Sequence, residues 1–371
     1  MMPDIRYAIM DSSDRHIVLF IPSLTYGGAE QVAVILANAF SRSGIKTSLI
    51  TATSGDDISD QLDDSVKHAS LDQSRVLTSI PYFSQYLRKT QPDAVLSFMT
   101  HTNVAAILAN EMAYQPAKIV VSEHTTISNR ECGRKDQLIL SAAARLYPRA
   151  NRVVAVSNGI ASELQDDLGL KEELIQTIHN PVRRPDESDL QSPPNPWFED
   201  SGPVLLAVGR HEPQKDFSTL LHAVAKFKSD RVNTKLVLLS EGSETPNLKK
   251  LAANLGIEQS VSFEGYVSDP YPYFSAADLF VLSSRWEGFG NVIVEAMMVG
   301  TPVVATDCPV GPAEVLSDGE FGKLAPVGDP DGLAHAIRNE LRNPTDTTKL
   351  RERSKEFDPD RIAAIYKRVM F

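Results

Sequence analysis

Cysteine is nearly absent from this 371-residue chain: there are two, Cys132 and Cys308, and neither belongs to a metal-binding spacing. A disulfide framework is not expected, and a reducing cytoplasm is the default compartment. Long hydrophobic runs are missing as well. No apolar stretch reaches the ~18 residues that would cross a bilayer, and the opening MMPDIRYAIMDSSDRH lacks the apolar core of a signal peptide. The expectation is a soluble or at most peripheral protein. Positive charge is also short. Thirty-seven Lys and Arg face 48 Asp and Glu, a formal net charge of -11, which argues against a nucleic-acid partner. That acidity lies mostly beyond residue 185; the first half is near neutral and better tolerates an anionic membrane surface. Internal repeats, low-complexity segments and a GxGxxG dinucleotide fingerprint are absent too.

What is present is alternation. Short, β-branched apolar runs at 16–24, 47–52, 94–99, 118–124, 152–157 and 175–181 are separated by helical patterns such as 29–44 and 103–113. Near-continuous apolar strands joined by helices predict a parallel sheet covered on both faces. A Pro- and charge-rich stretch without periodicity, 182–202, reads as a linker. Alternation then resumes with runs at 203–210, 235–242, 261–267, 279–284 and 302–307. The expected fold class is α/β, with two doubly wound Rossmann-like domains in tandem, 1–185 and 203–356, facing a cleft.

The chemistry-bearing residues fall where strands end. Gly27 and Gly28 lie between the first strand and its helix, where glycines let backbone N–H groups reach an anion; a tight turn explains them equally well. Arg210 and Lys215 follow the first strand of the second half and can converge on a diphosphate, the alternative being two solvated loop cations. Glu287 sits in the loop after the strand 279–284. Phe289, Gly290 and Asn291 lead into a helix whose first N–H groups are free. Glu295 is set among Val292, Ile293, Val294, Ala296 and Met297, where a carboxylate needs donors. Sugar or ribose hydroxyls would serve; a carboxylate stabilising its own helix start is the alternative. His124 ends an apolar strand, either as a structural residue or facing the cleft. His101 is a weaker acceptor-side candidate.

The string Glu287-Gly288-Phe289-Gly290 through Glu295-Ala296 resembles the E-x7-E signature of family 4 retaining glycosyltransferases with the GT-B fold. Gly27-Gly28-Ala29-Glu30, Ser122-Glu123-His124, Val156-Ser157, Asn180-Pro181, Gly209-Arg210 with Lys215-Asp216, and Phe263 to Gly265 are similar to pieces of the same family in the same order. The resemblance runs from about residue 17 to about 340. It implies that Glu295 holds the ribose and Glu287 contacts the donor sugar. Gly290 and Asn291 then help hold the diphosphate, Arg210 and Lys215 neutralise it, and Gly27-Gly28 closes on it. His124 lies beside the reacting sugar as a hydrogen-bonding group, and Tyr266 and Val267 face the base. It also implies a C-terminal helix, 357–371, crossing back to the first domain. One departure stands out: Ser240 occupies the first position of a Gly-x-Gly that family members often carry.

A metal is not expected, since no Asp-x-Asp run ends a strand near the cleft, and two cations with a helix dipole can stabilise a leaving diphosphate. The expected donor is a UDP-sugar, and the acceptor a glycan or polyprenyl-linked glycan of surface polysaccharide assembly. Segment 130–152 carries Arg130, Arg134, Lys135, Arg145, Arg149 and Arg152 interleaved with Leu138, Ile139, Leu140, Leu146 and Tyr147. It is a candidate membrane dock on the cytoplasmic face, or an ordinary helix with a solvated basic face. Rival readings are a GT-B epimerase or phosphorylase, and a non-catalytic nucleotide-sugar-binding subunit.

Overall fold

The apolar runs become strands buried on both faces. The run HIVLFI forms β1 (His16–Ile21), buried at all six positions, and AVLSF forms β4 (Ala94–Phe98), buried at all five. A computed structural model describes residues 15–371 apart from 115–116, 128–132, 187–189, 192, 194, 200–201 and 230–232. With β2 (Lys46–Thr51), β3 (Lys67–Ser70), β5 (Lys118–Glu123), β6 (Arg152–Ala155) and β7 (Ile175–Thr177), these make a seven-stranded sheet in the order β3-β2-β1-β4-β5-β6-β7. The second sheet is built from β8 (Val204–Val208), β9 (Lys235–Leu239), β10 (Val261–Gly265), β11 (Leu279–Leu282), β12 (Val303–Thr306) and β13 (Lys323–Ala325), in the order β10-β9-β8-β11-β12-β13. Every ladder is parallel, for example Ile17 opposite Thr47 and Ala94, and Leu205 opposite Leu236 and Leu279.

Both orders reverse direction beside their first strand. The loops after β1 and β4 in one sheet, and after β8 and β11 in the other, therefore flank topological switch points, where ligands bind in open α/β sheets. Gly27, Gly28, Arg210, Lys215 and Glu287 all follow one of those strands.

Two strands were not anticipated. β3 is KHAS, with no buried position, and β13 is KLA, with one. Both are edge strands, which need neither an apolar run nor much length.

The helix Pro359–Met370 packs on the first sheet. Asp358 caps it by accepting from the N–H groups of Asp360 and Arg361, and Ile362, Ala363, Tyr366 and Met370 are buried. They join the core formed by Ile17, Leu19, Val32 and Phe40. Spacing of about one turn puts them on one face, and burying each large apolar side chain is worth roughly 1.5–3 kcal/mol. The two crossings between domains touch, the Val182 N–H donating to the Phe357 carbonyl at 3.0 Å beside an Arg184–Asp358 ion pair.

Ser240, the departure from glycine, has φ 84°. A left-handed conformation costs an L-residue roughly 1–2 kcal/mol, against roughly 0.5–1 kcal/mol of extra chain entropy lost by glycine. Ser240→Gly is therefore expected to stabilise the fold by about 0.5–1 kcal/mol, read from urea midpoints at unchanged slope.

Candidate active site between the two sheets

The loops after β8 and β11 are laced together before any ligand is considered. The Ser283 hydroxyl donates to the Lys215 carbonyl (2.7 Å), the Gln214 amide to the Trp286 carbonyl (2.9 Å), and the Arg285 N–H to the Gln214 carbonyl (2.8 Å). Buried Asp216 accepts from Arg285 Nε (3.0 Å) and from the Thr219 hydroxyl (2.9 Å). This lacing aims Lys215 at Glu287: Nζ lies 2.5 Å from Oε1, and Ser284 donates to the same oxygen at 2.6 Å. Only 17% and 9% of the two side chains are exposed. Gly209 makes room, since a Cβ there would sit 2.9 Å from Lys215 Cε. Lys215 and Glu287 are thus a preorganised ion pair rather than two independent groups. Arg210 is exposed; burial raises the Glu30 carboxyl, and a hydrogen bond from its own backbone, then the Arg210 charge, oppose the rise.

Beyond Glu287 the chain presses on the other domain. A Cβ on Gly288 would clash with the His124 carbonyl oxygen, so only glycine permits this approach. The Phe289 ring is buried against His179 (5.3 Å between centroids) and Phe357 (5.5 Å). It anchors the turn. Gly290, at φ 98°, starts the helix Asn291–Val299. The Asn291 Oδ1 accepts from Asn180 at 2.9 Å, and a Cβ on Gly28 would lie 3.7 Å from Asn291 Nδ2. The starts of helices Gly28–Arg42 and Asn291–Val299 therefore face each other from opposite domains, two sets of free N–H groups with positive dipole ends.

Glu295 is the fifth residue of its helix, past the first turn, and lines the cleft with Arg183 and Val267. No hydrogen bond to its carboxylate exists among the described residues, so it does not cap its own helix. Burial raises its carboxyl to about 7; Arg183 opposes the rise, Asp269 adds to it, and Lys215 opposes it. An acid raised in the folded state is destabilising when ionised, so the penalty grows as pH passes from the unfolded value through 7. Glu295→Gln is expected to raise Tm by a few degrees at pH 8, the gain vanishing below about pH 4.5 where both states are protonated.

The cleft, of about 890 Å³, is also lined by Gly27, Gly28, Tyr266 and Val267. Half-exposed Tyr26 and Tyr266 meet across it with centroids 4.3 Å apart, and burial together with Tyr26 pushes the Tyr266 phenol up. His124 closes β5. Its Nε2 pairs with Ser122 Oγ at 2.9 Å, its ring lies 5.5 Å from Phe98, and Nδ1 is without a partner among the described residues. Burial pushes the imidazole down to about 3, so it is neutral in any ordinary buffer. Behind it, buried Glu123 accepts from Thr100 (2.9 Å), Asn103 (3.1 Å) and Tyr147, fixing the strand end. His101 is the second residue of the helix Thr100–Met112. Ser284, Asn180 and Asp216 were given no role from sequence, although Asn180 and Asp216 lie in motif positions. Among the described residues, no three His, Cys, Asp or Glu side chains are grouped to hold a metal ion.

On the outer face, helix Arg134–Leu146 leaves Leu138 71% exposed; residues 130–132 of the candidate membrane segment lie outside the described residues. Among the described residues no helix is long and apolar enough to cross a membrane.

Comparison with known proteins agrees with this architecture. Residues 26–184 match Glycosyltransferase Family 4 and residues 191–357 match Glycosyl transferases group 1. The chain thus consists of a family 4 domain followed by a group 1 domain on a GT-B fold. It is similar to the lipopolysaccharide core biosynthesis glycosyltransferase LpsE of Rhizobium meliloti, 38% identical over 209 residues, 55% of this chain and 58% of that protein. It is 26% identical over 367 residues, 93% of this chain and 96% of the other, to the N-acetylgalactosamine-N,N'-diacetylbacillosaminyl-diphospho-undecaprenol 4-alpha-N-acetylgalactosaminyltransferase of Campylobacter jejuni. The fold superposes on Anabaena HepE in complex with UDP, with a TM-score of 0.79 at 22% identity over 95% of this chain and 98% of that one.

Proposed function

We propose that the protein is a retaining glycosyltransferase that moves a sugar from a UDP-sugar to a lipid-linked glycan in surface polysaccharide assembly, working at the cytoplasmic face of a membrane. The observation that carries this is the cleft itself. Two helix starts, at Gly28 and Asn291, line a space large enough for a diphosphate, and the Glu295 carboxylate lines the same space one turn into the second helix. Arg210, Lys215 and the N–H groups at Gly28 and Gly290–Asn291 would take the charge that develops on the leaving diphosphate. Glu295 would accept from ribose hydroxyls, and Tyr266 and Val267 would face the base. Glu287, held by Lys215 and Ser284, would meet the hydroxyls of the donor sugar, with neutral His124 as a hydrogen-bonding neighbour.

Retention is what the resemblance of the Glu287–Glu295 motif to that of retaining family 4 enzymes implies. Glu287 is committed to Lys215, and His124 is a neutral ring, so front-face attack is the preferred route. The acceptor oxygen forms its bond to the anomeric carbon on the face that the diphosphate leaves, and a phosphate oxygen takes the acceptor proton. The names of the Rhizobium and Campylobacter relatives support a lipopolysaccharide or undecaprenol-diphospho acceptor, and UDP is the nucleotide carried by the HepE neighbour. Exposed Leu138 between Lys135 and Arg145 favours contact with an anionic lipid surface.

The test is a panel of nucleotide sugars incubated with the protein and a membrane extract, with nucleotide release and product anomer both read. Acceptor-dependent release with an α-linked product from an α-linked donor is expected; release without acceptor would point to an epimerase or hydrolase instead. Because protein charges do the work of a cation here, turnover is expected to persist within twofold in excess EDTA.

A further inference from the structure

The two domains are tied together by one carboxylate that the donor and acceptor roles do not use. Glu314 lies on the short helix Pro312–Val315 of the second domain, and its side chain is only 17% exposed. Both of its carboxylate oxygens reach the first domain. Oε2 accepts from the Asn158 N–H at 2.8 Å, and Oε1 pairs with His179 Nε2 at 2.6 Å. Asn158 is the first residue of the helix Asn158–Asp166, so the carboxylate also meets the positive end of that helix. His179 in turn packs on Phe289, which anchors the turn before Gly290. Other links between the two domains join neutral groups: Ser157 Oγ to the Gly288 carbonyl at 2.9 Å, and Asn180 to Asn291 at 2.9 Å. The second domain keeps Glu314 in place from behind, Arg353 donating to the Glu314 carbonyl at 3.0 Å.

A carboxylate shared between a helix start and an imidazole is a charge-assisted link, about twice as strong as a neutral one. It lies beside the crossing between the domains, where the His179 ring also packs on Phe357 at 5.7 Å between centroids. We propose that Glu314 is a positioning residue of the transfer reaction, holding the closed arrangement in which His124 and Gly27–Gly28 reach the Glu287–Asn291 loop. This rests on the glycosyltransferase reading above, because it assumes that turnover needs both domains in register while nucleotide binding depends chiefly on the second.

The experiment compares wild type with Glu314→Ala, Glu314→Gln and Glu314→Asp. It reads kcat with the donor and membrane extract, UDP affinity by calorimetry, and radius of gyration by X-ray scattering. Glu314→Ala is expected to lower kcat 30-fold or more, to leave the UDP dissociation constant within threefold, and to enlarge the radius of gyration. Glu314→Gln, which can accept from the Asn158 N–H and keep a hydrogen bond to His179 Nε2, is expected to restore kcat to within fivefold. Glu314→Asp, too short to reach both partners, is expected to fall between, and it serves if the alanine variant does not fold. Parallel losses of UDP affinity and kcat without rescue by glutamine would overturn the proposal, as would unchanged kcat and radius of gyration. If wild type shows no transfer at all, the functional reading fails instead, while scattering and calorimetry still test the tie.

Discussion

Lys215→Ala is expected to lower kcat/KM for the donor by roughly 10²–10³-fold, the loss seen when one preorganised charge-stabilising group is removed from a transition state. It is also expected to destabilise the fold by about 3–5 kcal/mol, because Glu287 is left buried without its cation. The two effects separate in a double variant. Lys215→Ala combined with Glu287→Gln should regain most of the stability, since a neutral amide can keep the Ser284 hydroxyl as a partner, but none of the turnover. Lys215→Arg should not rescue either property. The Lys215 stem runs over Gly209 with no space to spare, and a planar guanidinium cannot occupy the slot of a compact ammonium. Steady-state kinetics and thermal unfolding of the four proteins measure both quantities. Full turnover in Lys215→Ala would show that the diphosphate is not held at this pair.

The second large effect is a split between affinity and rate. Glu295→Ala removes a charged acceptor from ribose, a hydrogen bond worth about 1.5–3 kcal/mol, so the UDP dissociation constant should rise by about 10–100-fold. At saturating donor, kcat should fall far less. His124→Ala should do the reverse: kcat lower by about 10²-fold, in the range of a positioned hydrogen-bonding group, with UDP affinity within threefold. Since burial keeps His124 neutral down to about 3, its ionisation should leave no inflection in kcat between pH 5 and 9. Calorimetry with UDP and rate measurements on both variants provide the check. Equal UDP affinity in wild type and Glu295→Ala would remove the ribose assignment.

The fold was legible because its central strands are buried on both faces. β1, β4 and β8 read as unbroken apolar runs, and the helices between them force parallel pairing. The edge strands β3 and β13 left no such trace, since half or more of an edge strand meets solvent. At the candidate site, Gly27, Lys215, Glu287 and Gly290 could be singled out because strand ends are where such folds bind ligands. Their mutual arrangement could not. The Lys215–Glu287 pair joins residues 72 apart and the Asn180–Asn291 bond residues 111 apart, and nothing local encodes either. Phe289 shows the limit of reading by motif. Its place between two glycines says nothing of where its ring goes, which is the space between His179 and Phe357. Glu314 and His179 carry no local pattern at all; only the docking of one domain on the other gives them a function.

The central claim is that the space between the starts of helices Gly28–Arg42 and Asn291–Val299 grips a nucleoside diphosphate and lets it leave only when a glycan takes the sugar. Nucleotide release from a UDP-sugar, with and without membrane-derived acceptor and in wild type beside Lys215→Ala, measures this directly. The account predicts release that requires acceptor and falls by at least 10²-fold in the variant. Release independent of acceptor, or undiminished without Lys215, would contradict it.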